Sequence, residues 1–364
     1  MNCLDDDHQN NMTRPGFSSQ LNLEGYIEEY GRDHSFKNLG LLRSTYRANP
    51  NRIASFVGAG VARPLGVGDW STLMKELVKS APNVDANYPT LGEENSTIGA
   101  DQYPRIADEI LEELGPDQDK FMDIIRSLTQ HNEMSSTPPL EFLVKAIRIH
   151  LTTNFDGCIE STYDHLEEIM RESGGFGRRP TVKYYTEAIN FRTSNNEDWI
   201  CHLHADLDNN IFILAERDYK TVYKHAGGAS EVHDCIKHFY LSHHLLFVGF
   251  SFDDPYVYEC IRSISDEKRR GEQQYHRQFT SYSREFRPRN QAHFLLIDSS
   301  KGNTKWQELL HPEESGKEAQ SMQDYFEYWQ QHGVYPIVYK SGQRIFLELL
   351  FKELSRIPGD MRDV

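Results

Sequence analysis

Ile53-Ala54-Ser55-Phe56-Val57-Gly58-Ala59-Gly60 is the stretch from which the fold can be read. An uncharged, mostly apolar run that stops at two glycines predicts a short strand buried on both faces, ending in a tight turn. The same design returns at Ile149-His150-Leu151-Thr152 before Thr153-Asn154-Phe155-Asp156, and at Trp199–Leu203 before His204. It appears again at Leu245-Leu246-Phe247-Val248 before Gly249-Phe250-Ser251, and at Phe294-Leu295-Leu296-Ile297 before Asp298. Further strands are expected near Val182–Tyr185 and at Tyr335-Pro336-Ile337-Val338-Tyr339. Strands apolar on both faces, alternating with helical spacing, predict an α/β fold: a Rossmann-like, mostly parallel sheet with helices on both faces.

Helical spacing is read over Leu21–Tyr46, Trp70–Ala81, 104–130, Pro138–Ile147 and Gly157–Met170. Residues 82–98, rich in Pro, Asn, Gly and Ser, read as a loop. The expected organisation is a mobile tail over 1–20, a sheet domain built from 21–81 and 136–364, and a small helical domain, 82–135, inserted in it. Residues 265–291 carry a local basic excess, with seven Lys and Arg against four Asp and Glu over 266–290. They read as a solvated surface loop, or alternatively as a partner-binding segment or lid.

Composition narrows the function. The 364 residues are 38% hydrophobic and 12% aromatic, enough to build a core, so wholesale disorder is excluded. Lys and Arg number 39 against 55 Asp and Glu, a formal net charge of −16, which argues against direct nucleic acid binding by phosphate neutralisation. No apolar run approaches the roughly 18 residues of a membrane helix, and MNCLDDDHQNNMTRPG is unlike a signal peptide. Cys3, Cys158, Cys201, Cys235 and Cys260 form neither a disulfide framework nor a C-x2-C zinc site. A cytoplasmic protein with reduced thiols is expected. There is no G-x-x-x-x-G-K-[ST], no G-x-S-x-G and no H-E-x-x-H.

Ligands of open parallel sheets sit beyond the carboxyl ends of the strands. Here those ends read Gly58-Ala59-Gly60, Thr153-Asn154-Phe155-Asp156, His204, Gly249-Phe250-Ser251 and Asp298. Four segments of this edge carry a resemblance. GAGVARPLGVGDW, Gly58–Trp70, resembles the sirtuin pattern G-A-G-[IV]-S-x-x-x-G-[IV]-P-D-F. TTNFDGCIE, Thr152–Glu160, resembles T-Q-N-I-D-x-L-E, HLHADL, His202–Leu207, resembles x-x-H-G, and GFSFDDP, Gly249–Pro255, resembles G-[TS]-S-L. The order is that of sirtuins, and the likeness spans residues 50–300. Closer still is the sirtuin-like family of NAD hydrolases of bacterial antiviral defence, which spells these segments T-T-N-[FY]-D, L-H-G and G-[FY]-S-x-x-D. The chain departs from the patterns at Ala62 for serine, Gly68 for proline, Ser71 for arginine and Ala205 for glycine. It also lacks a four-cysteine zinc ribbon, which argues against a histone-type deacylase.

The resemblance implies an NAD+ glycohydrolase that takes NAD+ as its substrate, releases nicotinamide and ADP-ribose, and needs no metal. It implies that Asn154 orients the ribose or the attacking water, that His204 is the general base, and that Asp156 holds the carboxamide. Gly58, Ala59 and Gly60 would wrap the pyrophosphate, Asp69 would lie near the nicotinamide pocket, and Trp70 and Thr153 would also bind the cofactor. Gly249 and Ser251 would approach a phosphate or the adenosine ribose, and Asp298 would accept from a ribose hydroxyl. Read from the residues alone, Asn154 could instead cap the following helix, Asp69 the helix from Trp70, Asp156 could pin its turn, and Asp298 could be a plain turn residue. Strand alternation puts His202 and His204 on one face, so only the motif selects His204. Asp253-Asp254 reads as capping and dipole pairing rather than a metal site.

Constant NAD+ loss would be lethal to a cell, so the resemblance also implies gating. A homo-oligomer is expected, or control by a partner such as a HerA-type ATPase, with the first 50 residues and 265–291 as contact surfaces. The competing functions are an NAD-dependent deacylase or ADP-ribosyltransferase, and a non-catalytic NAD- or ADP-ribose-binding subunit.

Overall fold

The computed structural model describes residues 23–29, 32–67, 70–91, 98–129, 136–174, 177–186, 197–206, 211–223, 230–250, 254–279, 291–299, 322–340 and 344–357. The expected tail, 1–20, lies outside them. Seven parallel strands form the central sheet: β1 (Ile53–Val57), β2 (Ile149–Thr152), β3 (Thr181–Tyr184), β4 (Trp199–His202), β7 (His244–Val248), β8 (His293–Asp298) and β9 (Val334–Tyr339). Their order is β3-β4-β2-β1-β7-β8-β9. A separate antiparallel pair, β5 (Ala205–Asp206) and β6 (Ile211–Phe212), follows β4. The order reverses direction at β1 and β7, so the crevice expected of an open α/β sheet lies beyond the ends of those two strands.

Both faces are dry, which is why the strands alternate nothing. Ile53, Val57, Ile200, Leu246, Val248, Phe294, Leu296 and Ile337 face a core completed by α1 (Arg32–Ala48), α6 (Pro138–Ala146), α7 (Cys158–Glu172) and α12 (Arg344–Ser355). Ala54, Phe56, Leu151, Cys201, Leu245, Phe247, Leu295 and Val338 face a second core. It is completed by α8 (Glu216–Tyr223), α9 (Glu231–Ser242), α10 (Pro255–Phe279) and α11 (Met322–Gln331). Each fully buried large aliphatic or aromatic side chain contributes on the order of 2 kcal/mol, so the two layers carry most of the stability.

A third core belongs to the helical unit. It joins α2 (Trp70–Val78), α3 (Pro82–Asn87), α4 (Tyr103–Leu114) and α5 (Gln118–Thr129) through Leu73, Leu77, Val84, Ile106, Ile110 and Ile125. By packing, α2 belongs with this unit although it lies in the stretch assigned from sequence to the sheet domain. The expected loop 82–98 begins instead with α3. Pro82 sits at the first helical position, where its missing N–H costs nothing, and Val84 buries against α4.

The segment 265–291 is not simply a loop. Through residue 279 it is the distal part of α10, whose Val257, Cys260, Ile261 and Ile264 anchor the helix in the second core. Ion pairs three residues apart, Arg262–Glu259 at 2.7 Å and Arg269–Asp266 at 3.1 Å, fit the helical conformation. Residues 280–290 lie outside the described set. Among the described residues, no helix is long and apolar enough to cross a membrane.

Candidate functional site

The ends of β1 and β7 interlock. Gly58 donates its N–H to the Val248 carbonyl at 2.9 Å, and Gly60 to the Gly249 carbonyl at 3.0 Å. A Cβ on Gly58 would lie 2.9 Å from the Phe250 Cα, and one on Gly60 would lie 3.0 Å from the Gly249 Cα. Gly249 itself has φ +62°. The glycines are therefore required by two chain segments crossing at the switch point. Their own N–H groups are engaged in that crossing, so of the three positions expected to wrap a pyrophosphate only Ala59 has its N–H uncommitted among the described residues. Asp69 and Ser251 lie outside the described residues. Trp70 starts α2 and meets Tyr103 edge-on at 5.4 Å, inside the helical unit. Asp298 ends β8, two strands from β1.

The end of β2 is built by side chains that hold the backbone. Thr152 donates its hydroxyl to the Val57 carbonyl at 3.0 Å and accepts from the Asn154 N–H at 3.0 Å. Thr153 is half-buried between them. Phe155 turns into the helical unit and meets Phe212 edge-on at 5.5 Å. Buried Asp156 accepts from the Cys158 N–H at 3.0 Å, so Asp156 pins the start of α7. Asn154 is consequently not the cap. Its side-chain amide carries no hydrogen bond to a described residue, and the residue is half-buried.

The two histidines part company. β4 ends at His202 and the chain bends through Leu203 and His204, so alternation does not extend to His204. The expectation that both share a face is overturned. His202 turns toward α7, its Nε2 2.6 Å from Glu160 Oε1 and its Nδ1 3.3 Å from the Asn154 carbonyl. Burial alone would lower its pKa, but the Glu160 carboxylate overcomes burial and holds it above the usual histidine range. His202 thus braces the Asn154 backbone.

His204, 3% exposed, turns to the other face. Its Nε2 lies 2.6 Å from the Tyr223 hydroxyl and its Nδ1 lies 3.9 Å from Asp254 Oδ2. Tyr219 and Tyr223 wall the ring edge-on, with centroids at 5.3 and 5.8 Å. Burial drives the imidazole down to about 3 and the Asp254 carboxyl up to about 6. After His204 the chain enters the helical unit, where Ala205 is buried and the His204 carbonyl accepts from Ile213 at 2.7 Å.

The arrangement is a neutral amide and an unprotonated imidazole at neighbouring strand ends, next to a glycine crossing at the switch point. Such a set can orient a sugar and accept a proton without carrying charge of its own. Among the described residues, no group of three or more His, Cys, Asp or Glu side chains is placed to hold a metal ion.

Residues 148–305, which include the ends of β2, β4 and β7, match the sequence model of the SIR2-like domain. That stretch of the chain is similar to a SIR2-like domain. The match supports a sirtuin-like, NAD-related function. No curated protein matches the chain. The matched stretch also contains residues not singled out as a site from sequence: Glu160, Tyr219 and Tyr223. Glu160 lay inside the quoted TTNFDGCIE, one helical turn past Asp156, and could have been read as facing the strand. The tyrosines could not, because nothing local links α8 to His204.

Proposed function

We propose that the SIR2-like domain is an NAD+ glycohydrolase, cleaving the nicotinamide–ribose bond to give nicotinamide and ADP-ribose. The observation that carries the reading is that the ends of the adjacent strands β2 and β4 present the Asn154 amide, with no side-chain hydrogen bond to a described residue, and the neutral imidazole of His204. The bond breaks through an oxocarbenium-like transition state, and a site for it must position water and avoid stray charge. Asn154, braced by Thr152 and His202, orients the ribose and the attacking water. The C1′–N1 electron pair leaves with nicotinamide and neutralises its ring charge. The water oxygen bonds to C1′, and its proton passes to His204 and then to solvent.

The Tyr223 hydroxyl is hydrogen-bonded to His204 Nε2 and would have to give way before that atom could take a proton from water. This fits an activity gated by assembly or by a partner ATPase, with cellular NAD+ depletion in antiviral defence as its purpose. The same occlusion favours the second reading, an NAD- or ADP-ribose-binding subunit without turnover.

The test is NAD+ loss followed for wild type, Asn154→Ala and His204→Ala, with melting temperatures as a fold control. Each substitution is expected to reduce turnover by about 100-fold or more at unchanged ligand-induced stabilisation. Equal NAD+ consumption by all three proteins defeats the assignment. Stabilisation by NAD+ without nicotinamide release supports the binding subunit instead.

A further inference from the structure

We propose that Asp254 is a positioning residue for His204: its Oδ2 faces Nδ1, keeps the proton there, and so leaves Nε2 as the atom that accepts the proton of the attacking water. The inference rests on the glycohydrolase reading for its kinetic consequence, while its structural consequence stands apart from it.

The two oxygens of Asp254 do different things. Oδ1 caps α10, accepting from the Tyr256 N–H at 2.9 Å and the Val257 N–H at 3.1 Å. Oδ2 accepts from the Tyr219 hydroxyl at 3.0 Å and lies 3.9 Å from His204 Nδ1. A helix cap does not need the second oxygen, nor a carboxylate. In the same layer Ser230 caps α9 with a hydroxyl. Yet the Asp254 side chain is only 11% exposed, and desolvating a carboxylate is costly unless it is paired.

The surroundings select one tautomer. Among the described residues, the ring is faced by Asp254 from the start of α10 and by Tyr219 and Tyr223 from α8. Tyr256 stacks on Tyr219 at 4.3 Å, and the Cys235 and Cys260 thiols lie near Tyr223. A tyrosine hydroxyl can donate to Nε2, whereas an ionised carboxylate only accepts. The form that suits both neighbours has its hydrogen on Nδ1 and its lone pair on Nε2. At 3.9 Å the link to Asp254 is electrostatic. It strengthens when Nε2 takes up the water proton and the ring becomes an imidazolium opposite the carboxylate.

Asp254→Asn separates the roles, because Asn retains a capping oxygen and replaces Oδ2 by an amide that donates. The full chain labelled with 15N-histidine, with His204→Gln to assign the ring, reports tautomer and protonation directly. NAD+ turnover is measured on the same proteins. Wild type is expected to show hydrogen on Nδ1. In Asp254→Asn, where the amide donates in place of the accepting Oδ2, the hydrogen is expected to move to Nε2. Turnover should fall about 10- to 100-fold with KM changed by less than about threefold. A wild-type tautomer together with wild-type turnover in the variant overturns the proposal. If no protein consumes NAD+, the glycohydrolase reading fails, and the nitrogen spectra still decide what Asp254 does. Asp254→Ser, which also keeps a capping oxygen, gives the same readout should Asn disturb folding.

Discussion

His202 and His204 are one residue apart and serve opposite faces of the sheet. A strand would have kept them together; the bend after β4 sends His202 to Glu160 on α7 and His204 to Tyr223 on α8. With Nδ1 and Nε2 both aimed at acceptors, His202 has no lone pair to offer a substrate, and it is the less suited of the two as a base. The hydroxyl of Tyr223 holds the other histidine closed. One hydrogen bond of this kind contributes about 1 kcal/mol net, so Tyr223→Phe, which keeps the ring packing, is expected to raise basal NAD+ turnover of the isolated chain about fivefold. A steady-state assay on the purified variant checks this, and a lowered rate would mean that the hydroxyl takes part in proton transfer instead. The Asn154 motif was legible in the sequence because it lies within one strand end and one turn. Its freedom from capping was not, since that depends on Asp156 reaching the Cys158 N–H.

At the scale of elements, the site depends on how β1 and β7 end. Gly249, at φ +62°, brings its Cα against the loop after β1, and a Cβ there would lie 2.6 Å from the Val61 nitrogen. Left-handed backbone costs an L-residue roughly 1–2 kcal/mol, and overpacking adds roughly 1–3. Gly249→Ala is therefore expected to destabilise the protein by about 3 kcal/mol, read as a lowered urea midpoint at an unchanged m-value. An unchanged midpoint would show that the crossing is loose. Strand positions were readable because each is buried on both faces and uncharged. The helices α3 and distal α10 were misread as loop because Asn, Gly and charge were weighed as breakers, whereas Val84 packing and charge pairs along α10 decided the outcome.

For the whole molecule, three dry cores surround a set of buried neutral histidines. Burial lowers His150 and His204 to about 3 and His243 to about 4, and drives His293 well below the usual range. Unfolded, these groups bind protons near 6.5, so the unfolded state takes up more protons and stability falls as pH drops below that value. Each contributes roughly up to 1.4 kcal/mol per pH unit. Asp254, raised to about 6, and the raised Asp108, Asp198 and Asp218 act in the opposite sense, as does the raised His202. Four strongly lowered histidines stand against one carboxyl raised to about 6, so the histidines are expected to prevail between pH 7 and pH 5.5. Urea midpoints are expected to be lower at pH 5.5 than at pH 7. An equal or higher midpoint at pH 5.5 would refute this balance.

The sequence by itself determined a doubly covered parallel sheet and the short polar motifs, Asn154 and His204 among them, that follow its strands, because burial on both faces and motifs at strand ends are properties of contiguous residues. Only the tertiary structure decided which histidine faces which helix, that the glycines serve a crossing of β1 and β7, and that Asp254 and Tyr223 flank His204. Those facts join residues separated by 19 to 190 positions, and no local period or propensity carries a contact between them.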